Sequence, residues 1–220
     1  MPATPLTVQP HDEPAQVDAH AWNALLALQR SPTPFMRHEY LHALHASGSA
    51  TAATGWANRL LCLHRGDTLL GACALYAKSH SFGEYVFDWA WADAYRRHGL
   101  AYYPKLVCAV PFTPVSGSRL LARDDTTRRW LLQALRETCE GSRLSSVHLL
   151  FADEADRRAA AAAGWSSRQT VQFHWLNREP RPYADFGEFL ASLQRDKRKK
   201  IAQERRRVAD AGIVFSVHAG

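Results

Sequence analysis

Residues 82–119 read FGEYVFDWAWADAYRRHGLAYYPKLVCAVPFTPVSGSR, and the fold turns on how this stretch is read. Eight of the 22 residues from Phe82 to Tyr103 are aromatic, about a third of the chain's 7 Trp, 7 Tyr and 9 Phe in a tenth of its 220 residues. Glu84, Asp88, Asp93 and Lys105 are interleaved with them. A plain core segment would use Leu, Val and Ile. Aromatics with polar handles beside carboxylates suit a cleft that stacks on and orients a polar ligand; a wide core with amphipathic rims is the other reading. Within the stretch, Glu84–Asp88 reads as a strand and Trp89–His98 as a helix stopped by Gly99. Lys105–Val110 is a β-rich run closed by Pro111 and Pro114, and Arg119–Ala122 is a short extended piece after a Ser-Gly-Ser loop.

Upstream, residues 1–17 read as a loose, Pro-rich lead-in. Asp18 can cap a helix over AHAWNALLALQR, and a second helix follows the break at Ser31–Pro34, with Phe35, Tyr40, Leu41 and Leu44 at helical spacing. Arg59–His64 and Leu69–Lys78 flank a Gly-Asp turn and predict a hairpin. Downstream, Asp124 or Asp125 starts a helix that runs to about Cys139, and Ser146–Phe151 is a short buried strand. Asp153 opens an Ala-rich helix ended by Gly164, and Trp165–Leu176 is expected to return as a long strand. Pro180 and Pro182 mark a boundary, giving a domain over 18–178 and a separate segment over 179–220. In that segment an apolar stripe from Phe186 to Val208 predicts a helix, Gly212 ends it, and IVFSV at 213–217 begins a strand. A strand with nothing after it to cover it reads as the opening of a second domain; pairing back onto the earlier sheet is the alternative.

The charge is concentrated. The chain has 27 Lys and Arg against 21 Asp and Glu, net +6. Arg195–Arg207 alone holds eight basic residues against Asp196 and Glu204, so the remainder is balanced at 19 and 19. Lys197, Arg198, Lys200 and Arg205 are its candidate anion-binding residues. The segment has three readings: a solvated helix with an apolar seam, a phosphate-binding surface for tRNA, a nucleotide-linked precursor or CoA, or a membrane-surface helix. No apolar run approaches the roughly 20 residues a bilayer span needs, and the N-terminus lacks a secretory pattern. The spacing of Cys62, Cys73, Cys108 and Cys139 fits no zinc site, so reduced thiols in a cytoplasmic protein are expected and no metal site is predicted.

For site chemistry, Glu84 and Asp88 are the candidate bases or amine anchors, since strand positions 84, 86 and 88 share a face. Exposed carboxylates, or Asp88 as a helix cap, are the alternatives. Tyr85, Trp89, Tyr102, Tyr103 and Lys105 are candidates to orient a polar substrate. Thr113, Ser116, Gly117 and Arg119 form a turn with donors suited to an anion. His38 and Glu39, opening the second helix, are placed at the mouth of the cleft. His148 and His174 read as strand histidines rather than catalysts.

The element order, with VHLLFADEADRRAAAAAGWSSR at its centre, resembles the GCN5-related N-acetyltransferase (GNAT) fold: α/β (α+β), a mixed and mostly antiparallel sheet flanked by helices. The phrases PFMRHEYLHAL (34–44), KSHSFGEYVFDWAWADAYRRHGLAYYPKL (78–106), PFTPVSGSRLL (111–121), QFHW (172–175) and KRKKIAQERRR (197–207) resemble the FemAB-like predicted N-acyltransferases. That resemblance implies two tandem GNAT-like domains, of which this chain is the first plus the start of the second. It also implies transfer of an acyl or aminoacyl group, from acyl-CoA or aminoacyl-tRNA, to an amine on a small molecule or cell-wall precursor. One departure stands out. The GNAT pyrophosphate loop, Arg/Gln-x-x-Gly-x-Gly/Ala, has as its nearest counterpart Thr113-Pro-Val-Ser-Gly-Ser118, with one Gly and a Pro that removes a donor. A non-catalytic GNAT-like module that binds an anionic ligand or nucleic acid through 195–207 is the competing expectation.

Overall fold

The computed structural model describes residues 5–216, which fall into two compact units divided between Thr170 and Val171. The first unit is built on one hairpin that bends halfway. Strand β3 (Leu60–Arg65) turns at Gly66-Asp67 into β4 (Thr68–Cys73). The same two chains continue past a break at Arg59 and Ala74 as β2 (Trp56–Asn58) and β5 (Leu75–Lys78), joined at the break by Arg59 N–H to Leu75 O. The hairpin therefore seeds two sheets. One has the order β1-β3-β4-β7, with β1 at Leu6–His11 and β7 at Leu120–Ala122; the other has the order β2-β5-β6-β8, with β6 at Lys105–Cys108 and β8 at Val147–Leu149. The pair β6–β8 runs parallel; the other described strand pairs are antiparallel.

Strands β3 and β4 are apolar on both faces because helices cover both. Leu60 and Cys62 point, two residues apart, into a core with Trp22, Leu25, Leu26, Met36 and Leu41. These come from α1 (Ala19–Ala27), the turn before α2, and α2 (His38–Ala46). Leu61 and Leu63 point the other way, into a core with Leu131, Leu132 and Leu135 of α4 (Asp125–Gly141) and Ala160 of α5 (Glu154–Ala162). A period of two with both phases apolar is what a sheet packed on both faces requires. Asp18, Asp124 and Asp153 each accept a backbone N–H in the first turn of their helix, as the sequence predicts. The result is the mixed, mostly antiparallel, helix-flanked arrangement expected of a GNAT-like fold.

Several local expectations are corrected. Residues 84–88 are not a strand; the chain from 79 to 88 is an irregular loop that leads into α3 (Trp89–Arg97). The lead-in is not wholly loose, since Leu6–His11 pairs along β3 as an edge strand, where Pro10 is tolerated. Trp165–Leu176 forms no strand: Val171, Phe173 and Leu176 are exposed, and no strand among the described residues pairs with it. Residues 213–216 also form no strand, and Val217 lies outside the described residues.

In the second unit the apolar stripe is divided. Helix α6 (Phe186–Ser192) ends at Leu193, and α7 (Arg195–Asp210) starts anew after Gln194. Trp175, Tyr183 and Phe186 gather around Phe189 at ring separations of 5.6–5.9 Å.

Candidate active site

The row of residues that crosses the second sheet at one level is Trp56, Lys78 and Lys105, direct partners on β2, β5 and β6. Two lysines opposite one another on adjacent strands repel, and both are fully buried. The loop 79–88 folds over this end of the sheet and supplies the countercharge. Lys105 Nζ donates to Glu84 Oε2 at 2.8 Å, Asp88 Oδ2 at 2.5 Å and Ser81 Oγ at 2.8 Å, so its three N–H groups are all engaged. Asp88 Oδ2 also accepts from Ser81 Oγ at 2.9 Å and Tyr102 OH at 2.7 Å. With the Ser81 hydroxyl hydrogen directed to Asp88, Tyr103 OH donates to Ser81 Oγ across 2.8 Å.

Lys78 is held differently. Its ammonium donates to Phe82 O at 3.2 Å and sits 3.6 Å from the centroid of the Trp56 ring, with no carboxylate in ion-pair contact among the described residues. Two lysines and two carboxylates thus balance in number, but Lys105 takes both carboxylates. Four polar groups are left incompletely matched. Glu84 Oε1, Asp88 Oδ1 and Trp56 Nε1 are buried without a hydrogen-bond partner, and Lys78 uses one of its three donors on an oxygen.

The electrostatics follow from burial. Desolvation raises the Glu84 carboxyl above its usual range, against the pull of Lys105. Burial pushes Asp88 the same way, but hydrogen bonds from Lys105, Tyr102 and Ser81 outweigh it and the net direction is down. Desolvation lowers Lys78 to about 8, with Lys105 adding to the effect. Burial and the Asp88 carboxylate raise the Tyr102 phenol. One carboxyl biased towards taking a proton, beside an amine poised to lose one, is an arrangement suited to moving protons near neutral pH.

The structure sorts the predicted residues plainly. Glu84, Asp88, Tyr102, Tyr103 and Lys105 converge, although a loop rather than a shared strand face brings the carboxylates together. Tyr85 and Trp89 lie on the outer side, more than half exposed, Tyr85 with a left-handed φ of 57°. Thr113 Oγ1 donates to Pro111 O and lies 3.3 Å from Tyr40 OH. Ser116 is exposed, but the Gly117 N–H is taken by Phe151 O at 3.0 Å, so the turn is not an open nest for an anion.

Arg119 is buried, not exposed; it donates to Leu150 O and Val115 O and ties the turn to the strand beyond. His38 is buried against Pro14 O at 2.7 Å, and Glu39 pairs with Arg37 and Asn23, so both brace the helix start. His148 is a strand histidine beside Ser146 Oγ, lowered by burial to about 4; His174 is exposed. In the second unit Lys197, Arg198, Lys200 and Arg205 are exposed on α7. Arg198 meets Ala191 O, Arg205 covers the Phe186 ring, and Lys200 lies 4.0 Å from Glu204.

Sequence reasoning missed Lys78, Ser81 and Trp56. The signal for Lys78 was present: in LYAK, Tyr76 and Lys78 share a face, and Tyr76 is an inward residue. It also missed Asp156, a fully buried carboxylate that accepts Arg119 N–H at 2.7 Å, Leu120 N–H at 3.0 Å and Arg128 Nε at 2.9 Å.

Fold and site define a mixed α/β protein of GNAT-like layout with a buried cluster of two lysines and two carboxylates under a loop. The chain belongs to the FemAB-like family, described by its role in peptidoglycan biosynthesis/recognition, whose model matches residues 13–220. Membership supports a transferase role in general terms. A comparison with curated proteins finds none that matches. Among solved structures, the chain is similar to a variant of TTHA1254 from Thermus thermophilus, at 15% identity over 79% of this chain and 98% of that one, TM-score 0.42. It is also similar to a ribosomal-protein-alanine N-acetyltransferase from Brucella melitensis biovar Abortus 2308, at 13% identity over 79% and 98%, TM-score 0.43. No helix among the described residues is long and apolar enough to cross a membrane.

Proposed function

We propose that the chain serves N-acyl or aminoacyl transfer, moving an acyl group from a thioester or ester donor to an amine acceptor, with the amine received at Glu84 and Asp88. One observation carries this reading: two buried carboxylates share Lys105, and each keeps one oxygen without a partner. An ammonium is the group those oxygens lack. Glu84, raised by burial, is the proton acceptor that leaves the amine neutral for attack; Asp88, held low, stays charged and fixes the geometry. Family membership is the reason for expecting a cell-wall precursor as acceptor and acyl-CoA or aminoacyl-tRNA as donor. The test is transfer from both donors to a panel of amines. Glu84→Gln and Asp88→Asn should each lower kcat/KM about 100-fold or more, and unchanged rates in both variants refute the assignment.

The exposed basic face of α7 favours a second reading, a module that holds an anionic ligand or nucleic acid. Its eight basic residues meet Asp196 and Glu204 alone within the segment. RNA affinity that falls steeply with salt, alongside absent transfer, supports this reading.

A further inference from the structure

The cluster's unmatched groups include donors as well as acceptors. These donors are unmatched or only partly matched: the Trp56 indole N–H has no partner, and the Lys78 ammonium meets one carbonyl and a ring face. They are neighbours. Lys78 reaches the carbonyl of Phe82, two residues before Glu84. A Cβ on Gly83 would come within 3.3 Å of Trp56 Cζ2, which adjoins the carbon that bears Nε1. Acceptors without partners and donors with capacity to spare, gathered in one cluster, complement a molecule that carries both an ammonium and a carboxylate.

Resting on the acceptor-site reading above, we propose that the acceptor is recognised as an amino-acid zwitterion. Its ammonium lies between Glu84 Oε1 and Asp88 Oδ1, and its carboxylate lies on Lys78 Nζ and Trp56 Nε1. A free amino acid, or a residue that keeps both groups, fits; a simple amine leaves a buried cation unmatched. Buried polar groups without partners destabilise the closed loop, and ligand entry removes that penalty. The loop can open because its grip is largely side chain. Its backbone meets the rest of the fold through Phe112 N–H to Gly83 O at 3.1 Å and Lys78 Nζ to Phe82 O at 3.2 Å, and Ser81, Glu84 and Asp88 latch it to Lys105. Phe82, Tyr85 and Phe87 face outward, more than half exposed, so the apolar packing that opening disrupts centres on Val86 against Val107, Ala109 and Leu150.

The test is calorimetric binding of L-alanine, ethylamine and propionate to the full chain with no acyl donor. L-alanine should bind at least about tenfold more tightly than either single-charge analogue, since each analogue leaves one set of buried partners unmet. Lys78→Met should abolish the preference for alanine over ethylamine, and Glu84→Gln the preference over propionate. Trp56→Phe, which keeps the ring under Lys78, should reduce the first preference. Equal binding of alanine and ethylamine, or no binding of alanine, overturns the inference. The wild-type panel decides this even where a variant fails to fold. Transfer to amines with equal binding of alanine and ethylamine sinks the zwitterion alone. Alanine binding without transfer to any amine sinks the transferase reading alone.

Discussion

Lys105→Met is the sharpest perturbation of this site. Lys105 and the Glu84 side chain have no solvent exposure, and the Asp88 side chain is 11% exposed. Removing the ammonium leaves two carboxylates buried together and cuts three hydrogen bonds, at 2.8, 2.8 and 2.5 Å. Breaking a buried pair by deleting one partner costs about 3–5 kcal/mol. At about 2–4 °C per kcal/mol for a domain of this size, Tm falls by roughly 6–20 °C.

The deficit carries a pH signature. Without Lys105 the folded carboxyls have raised pKa values, so the variant's penalty is absent below the unfolded carboxylate range of about 4 and grows as pH rises. Wild-type Asp88 is lowered in the fold, so its stabilisation is present above that range and lost as pH falls through its folded pKa. The variant's penalty makes the gap smaller near about pH 4 than near about pH 7, and loss of the Asp88 contribution shrinks it further only below about pH 4. Urea unfolding at both pH values measures it. A gap below about 1 kcal/mol at neutral pH, the value of an exposed pair, or equal gaps at both pH values, refutes the buried-cluster account.

Three further outcomes follow from other contacts. Asp156→Ala strands two backbone donors and the Nε of Arg128 in the core; it should cost about 3–5 kcal/mol by urea unfolding, and Asp156→Asn less. Gly117→Ala places a Cβ 2.7 Å from Thr33 Cγ2 and 3.2 Å from Ser31 O, and should cost about 1–3 kcal/mol. Burial lowers Lys78 from 10.5 to about 8, so the unfolded chain binds more protons across that window and stability rises with pH through it. Relative to Lys78→Met, the wild type should gain about 3 kcal/mol between those limits, from about 1.36 kcal/mol per pH unit, and a flat difference refutes the burial argument.

Much of the scaffold was legible because local interactions write it. The three aspartates at 18, 124 and 153 cap their helices through hydrogen bonds three residues away. The hairpin turn lies at Gly66-Asp67 as read. Glu84, Asp88, Tyr102, Tyr103 and Lys105 stood out by type and density. Strands at 84–88 and 165–176 were misread because alternation and aromatic content describe a surface fit for a sheet, not the presence of a partner strand.

What the sequence by itself determined is therefore the set of groups and the helices and strands whose bonds close within a few residues. What only the tertiary structure decided is their meeting: Trp56, Lys78 and Lys105 become one row through strand register, and a loop without secondary structure lays Glu84 and Asp88 on it. The loop's path depends on contacts between residues 17 to 24 positions apart. The register depends on pairings as distant as Lys78 with Lys105, and no local preference encodes which of two lysines a carboxylate will choose.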